Sequence, residues 1–172
     1  MTDQHNQTRS SREWKLRMSL FTASAVMASL AFFEYPAMAT PPSGFHPAGV
    51  ALGSYSQIDV SPSNSTGAWR LLAKANDPTD IGVDDVVLDA GGSTGWHSHD
   101  GAVFETVTAG SIVVHHASDC SATTYTIGQS YYAAAHEIHD VRSVNGGEFV
   151  AVQIRPHGTP PVEDQPAPSK CT

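Results

Sequence analysis

Two histidines, His97 and His99, stand two residues apart in the run Gly91-Gly92-Ser93-Thr94-Gly95-Trp96-His97-Ser98-His99-Asp100-Gly101-Ala102-Val103-Phe104-Glu105. On a strand this spacing puts both imidazoles on one face. A glycine-rich turn precedes them, and a β-branched and aromatic segment with one carboxylate follows. Imidazole and carboxylate are ligands of borderline divalent metals such as Fe, Mn, Ni, Cu and Zn. The run therefore reads as half of a metal site on a β-scaffold.

In the strand expected after the histidines, Val103, Glu105 and Val107 share one face. A carboxylate among valines needs a partner if that face is buried, because an unpaired buried charge is very unfavourable. A metal held by the histidines would be one; if Glu105 lies at a strand edge, water is the other. Downstream, Ala133-Ala134-Ala135-His136-Glu137-Ile138-His139-Asp140-Val141-Arg142-Ser143 carries two further histidines. Spacing alone nominates either His136 or His139 as a third ligand.

The elements that must hold these residues are strands. Between residues 56 and 155, short alternating or apolar runs cover 56–60, 68–75, 83–88, 102–108, 111–116, 123–127, 130–133, 139–144 and 148–155. Turn residues separate them at Asn76-Asp77-Pro78, Ala90-Gly91-Gly92, Ala109-Gly110, Ile127-Gly128 and Asn145-Gly146-Gly147. That pattern predicts an all-β sandwich or barrel, with Asn145-Gly146 as a hairpin turn. Residues 40–55 read as an extended arm, 56–156 as the barrel, and the proline-rich 157–172 as an irregular tail.

The N-terminal 39 residues read as an export signal. Arg9, Arg12, Lys15 and Arg17 precede an apolar stretch at 18–33, and Ala37-Met38-Ala39 matches a small-residue cleavage site. The apolar stretch is shorter than the roughly 20 residues of a spanning helix, so cleavage before Thr40 is expected, with no membrane anchor left behind. With no Arg-Arg pair, the general secretory route is expected over the twin-arginine one. A secreted or periplasmic location suits the two cysteines, Cys120 and Cys171, which are expected to pair. From Thr40 onward, 5 basic residues face 14 acidic ones. Such a domain repels phosphate backbones, which argues against a nucleic-acid partner.

The two histidine clusters resemble the paired motifs of the cupin superfamily, in particular its small single-domain bacterial members. The first cupin motif has the form G-x5-H-x-H-x3,4-E-x6-G, and Gly91, His97, His99 and Gly110 match it. The second has the form G-x5-P-x-G-x2-H-x3-N, and Gly128 and His139 match it. Trp-His-Ser-His-Asp-Gly and His-Asp-Val-Arg-Ser are similar to segments of small cupins. The resemblance covers roughly residues 83–155. It implies an antiparallel jelly-roll barrel with the metal in the barrel mouth and His139 as the third ligand, His136 taking the motif glycine's place. The sequence departs from the motifs at three points. Val103 occupies the glutamate position, with Glu105 about 7 Å further along the strand. Ala134 and His136 replace Pro-x-Gly, and Ser143 replaces the final asparagine. Glu105 then either joins the metal through a local bulge or leaves a bare three-histidine site.

The remaining polar residues read as structural. His115 and His116 suit a strand end, His46 and His157 lie in proline-rich arms, and Tyr125, Tyr131 and Tyr132 suit a barrel wall. Arg142 suits a surface ion pair. The resemblance implies one divalent metal (Fe, Mn, Ni, Cu or Zn) and a small-molecule substrate, with a homodimer open beside the monomer. The expected activity is a dioxygenase-like oxidoreductase on a small oxygenated compound, with Glu105 as ligand or base. A metal-dependent lyase, decarboxylase or isomerase and a non-catalytic binder are the alternatives.

Overall fold

The structure, a computed structural model, describes residues 39–60 and 69–171. The export signal falls almost wholly outside the described residues. Among the described residues no helix is long and apolar enough to cross a membrane.

The described chain is all-β. Its strands are β1 (Ser43–Tyr55), β2 (Ile58–Val60), β3 (Ala73–Ala75), β4 (Thr79–Ser93), β5 (His97–Ser98), β6 (Ala102–His116), β7 (Ala122–Thr126), β8 (Ser130–Ala133), β9 (His139–Arg142), β10 (Gly147–Pro156) and β11 (Glu163–Asp164). A 3-10 turn, Ser169–Cys171, ends the described chain. Every ladder is antiparallel. The main sheet runs β1-β4-β10-β6-β9-β5-β11, with β7 and β8 also paired to β6, while β2 and β3 form a separate ribbon.

β6 organises the barrel. Its first half lies between β10 and β8, and its second half between β7 and β9. One extra residue, Thr108, lies in β6 between the pairs Phe149↔Val107 and Glu148↔Ala109. This bulge inverts the parity of the strand. Val103, Glu105 and Val107 face inward before it, and Ile112 and Val114 after it. Gly110 completes the bend with φ 63°, and a Cβ there would run into the Gly146 carbonyl oxygen. Expected turns at Ala90-Gly91-Gly92 and Ala109-Gly110 are therefore strand interior, because β4 and β6 bend through their glycines.

The Asn145-Gly146 turn also differs from expectation. It joins β9 to β10, but these strands do not pair with each other; they follow one another along the same edge of β6, β9 against Val113–His116 and β10 against Ala102–Gly110. The turn does not close a hairpin. Residues 40–55, read as an arm, carry β1, which follows β4 from end to end.

The core is one cluster inside the barrel: Val86, Leu88, Val103, Val107, Ile112, Val114, Tyr131, Ala133, Val141, Phe149 and Ala151. Its members come from β4, β6, β8, β9 and β10, so burying them closes the sheet on itself. The tail is mostly irregular, yet it is tied down at both ends. At one end His157 and the Gly158 amide donate to Asp80, which also accepts from Ser54. These donors hold the Asp80 carboxyl well below the usual carboxylate range. At the other end Cys171 is disulfide-bonded to Cys120, as expected.

Candidate metal centre

His97, His99 and His139 converge. Their ligand nitrogens all lie within 4.8 Å of one another, and their ring centroids are 4.3 to 5.3 Å apart. All three are buried. β5 carries His97, and His139 opens β9 directly opposite it in the ladder. His99 follows β5 immediately.

The hydrogen bonds settle the tautomers. His97 Nδ1 donates to the Gly95 carbonyl at 2.8 Å, His99 Nδ1 to that of Pro161 at 2.7 Å, and His139 Nδ1 to that of Glu137 at 3.1 Å. A carbonyl oxygen only accepts, so each Nδ1 carries the proton and each Nε2 presents a lone pair. The Nε2 atoms of His99 and His139 are buried with no hydrogen-bond partner. Burial first, and the neighbouring imidazoles second, depress the pKa of His99 to about 4 and that of His139 to about 2. His97 is lowered by burial as well. The three rings are thus neutral at neutral pH and oriented by backbone, and two of them, His99 and His139, have a buried Nε2 with no partner on the converging side. This is the state a divalent metal requires of its imidazole ligands.

Gly95 is part of this arrangement. Its φ of 73° lets its carbonyl reach His97, and a Cβ there would strike the Thr40 carbonyl. The tail is part of it too, because Pro161 supplies the carbonyl that orients His99. β11 pairs with β5, the Gln165 amide donates to the Trp96 carbonyl, and Gln165 Nε2 donates to Ser98 Oγ. No sequence pattern marks a proline carbonyl as an orienting group.

His136 turns away from the triad, with its side chain 72% exposed. Its φ of 62° is left-handed, the conformation expected where the second motif has glycine. Asp140 is fully buried, accepting from Ser93 Oγ at 2.7 Å and from Arg142 Nε at 2.6 Å. Arg142 therefore sits in an ion pair, with a buried partner in place of the surface acid expected. Tyr131 packs edge-on against His139, with centroids 5.5 Å apart, but its hydroxyl donates to Glu137 at 2.6 Å. His116 reaches the same carboxylate at 2.9 Å.

Glu105 points inward with Val103 and Val107 and is 3% exposed. It does not join the nitrogen cluster, and the bulge of β6 falls beyond it, at Thr108. Instead it lines a cavity of about 270 Å³ whose wall includes His97 and His99. Its Oε2 has no partner, and burial raises its pKa to about 8.

That value makes a prediction for the metal-free protein. The folded pKa lies above the unfolded one, so the stability attached to the neutral acid is full below pH 4.5 and is lost as pH rises through 8. Glu105→Gln removes the effect. Urea unfolding should show wild type losing about 1.4 kcal/mol per pH unit relative to the variant across that window. The histidines, whose depressed pKa values remove stability as pH falls below 6.5, act equally in both proteins and cancel. A pH-independent difference would contradict a buried neutral Glu105.

No family profile matches the chain, and no curated protein matches it. Solved structures do. An RmlC-like cupin from Shewanella frigidimarina is 19% identical, with 45% of this chain and 68% of that one covered and a TM-score of 0.41. The polyketide cyclase RemF from Streptomyces resistomycificus is 17% identical, over 53% and 64% of the two chains, with a TM-score of 0.45. A Bacillus subtilis oxalate decarboxylase variant is 18% identical, over 46% and 22%, with a TM-score of 0.42. The strand order and the placement of both histidine motifs on facing strands of one antiparallel barrel define the fold as that of a small cupin.

Proposed function

We propose that this is an exported, mononuclear metal-dependent enzyme acting on a small oxygenated organic compound. His97, His99 and His139 are its metal ligands and Glu105 its acid–base residue. The observation that carries the reading is the set of three converging, backbone-oriented imidazoles, with the Nε2 atoms of His99 and His139 buried and unpartnered, set beside a cavity lined by an unpaired carboxyl. The donor set suits Fe, Mn, Ni, Cu or Zn. When bound, such a metal supplies Lewis acidity toward a substrate oxygen and open coordination positions.

The chain's own residues do the rest. The triad fixes three ligand directions. Val86, Val103, Phe149 and Ala151 give the cavity an apolar lining. Glu105 holds a proton at neutral pH, with a pKa close enough to the working range to give or take it. This favours a proton-moving reaction, that of a lyase, decarboxylase or isomerase. The dioxygenase-like oxidoreductase is the second reading, favoured by a histidine-only cluster that leaves room for other ligands. Oxygen uptake by the iron-loaded protein separates the two. Turnover without uptake supports the first, and uptake tied to substrate loss supports the second. Full loading with no turnover in any class would leave a binding protein.

Glu105→Gln tests the acid–base role. Turnover should fall by about 10²- to 10⁴-fold with metal affinity unchanged. A matching loss of metal affinity would make Glu105 a ligand instead. Export is tested by the intact mass of secreted material, which should start at Thr40. A second copy is the protein partner that β1 favours, because this edge strand exposes Val50 and Leu52. Light scattering of Leu52→Asp against wild type checks it.

A further inference from the structure

The same cavity holds a second unpartnered polar group. Gln153, on β10, is 5% exposed and lines the cavity with Glu105 and the histidines. Its Nε2 donates to Asp84 Oδ2 at 3.1 Å, while its Oε1 is buried with no partner. The ladders explain the placement. Asp84, Ala151 and Glu105 form one inward row across β4, β10 and β6, and Gln153 lies one inward position along β10 from Ala151. Small Ala151 leaves open space between two carboxyl side chains. The Asp84 carboxylate accepts only, so it fixes the amide: NH₂ toward Asp84, carbonyl oxygen left over. A buried acceptor held in one orientation rejects a ligand that cannot donate to it.

We propose that Gln153 Oε1 is a specificity-determining acceptor for a hydroxyl on the substrate, and that the substrate class is a small hydroxylated carboxylic acid with an apolar body. Its acid group would face the histidine triad, which part of the assignment rests on the metal-centre reading above. Its body would lie against Phe45, Val86 and Phe149, and its hydroxyl would donate to Gln153. The cavity, at about 270 Å³, is at the small end of ligand pockets and suits one ring or a short chain.

The experiment is calorimetric binding of benzoate, 3-hydroxybenzoate and 4-hydroxybenzoate to zinc-loaded and zinc-free protein, wild type and Gln153→Met. One hydroxylated isomer should bind zinc-loaded wild type about tenfold tighter than benzoate, as one satisfied buried acceptor allows. Gln153→Met should erase that preference and leave benzoate affinity unchanged. A preference that survives Gln153→Met, the absence of any preference in wild type, or no binding of any of the three overturns the proposal. The wild-type comparison stands even if the variant fails to fold. A hydroxyl preference that persists equally without zinc would keep the Gln153 role and count against the metal-centre reading alone.

Discussion

Replacing His139 by alanine is expected to abolish tight metal binding, lowering affinity at least a thousandfold, while His136→Ala leaves it within about twofold. The difference follows from geometry. His139 sits opposite His97 in the ladder, and its Nε2 is buried and unpartnered. His136 is exposed on a left-handed turn; its backbone amide donates to the His99 carbonyl at 2.8 Å, and its ring faces Asp100 at 3.9 Å, not the triad. The same loss is expected for His97→Ala and His99→Ala, because two imidazoles no longer close the coordination shell. Zinc titrations of the four variants check this, with thermal unfolding as a control for folding. Equal losses in His136→Ala and His139→Ala would move the third ligand and void the register of the second motif.

Breaking the Cys120–Cys171 bridge should weaken both the fold and the site. The bridge spans 51 residues, and chain-entropy reasoning assigns such a loop about 4 kcal/mol, an upper figure. The tail it retains supplies the Pro161 carbonyl to His99 Nδ1. Loss of an orienting partner of this kind lowers metal affinity by about 10- to 100-fold. The pairing of β11 with β5 and the bonds to Asp80 still hold part of the tail, so the lower end of that range is expected. Urea midpoints and zinc affinities of Cys120→Ser/Cys171→Ser give both numbers. A large fall in stability with unchanged zinc affinity would mean the tail stays docked without its bridge.

How much of this was legible in the sequence depends on where each signal resides. The inward face of Val103, Glu105 and Val107 and the shared face of His97 and His99 follow from the two-residue period, which a single buried side enforces. The register that chose His139 over His136 came from the motif pattern, and the left-handed φ of His136 gives its physical reason. Other features left no readable mark. Pro161 orients His99 through its main chain, which carries no side-chain signature. β1 was hidden because its Pro and Gly residues are tolerated on an edge strand. The bends of β4 and β6 look like turns in composition, since glycine serves both. Gln153 and Asp84 were readable in principle: each interrupts an inward apolar alternation, Gln153 after Phe149 and Ala151, Asp84 before Val86 and Leu88.

The central claim is that three Nε2 atoms hold one metal, and X-ray absorption at the edge of zinc bound to the mature protein tests it most directly. The account predicts one zinc per chain, with three imidazole nitrogens at about 2.0–2.1 Å and the remaining scatterers oxygen. Fewer than three imidazole nitrogens, or a zinc held by surface carboxylates alone, would contradict it.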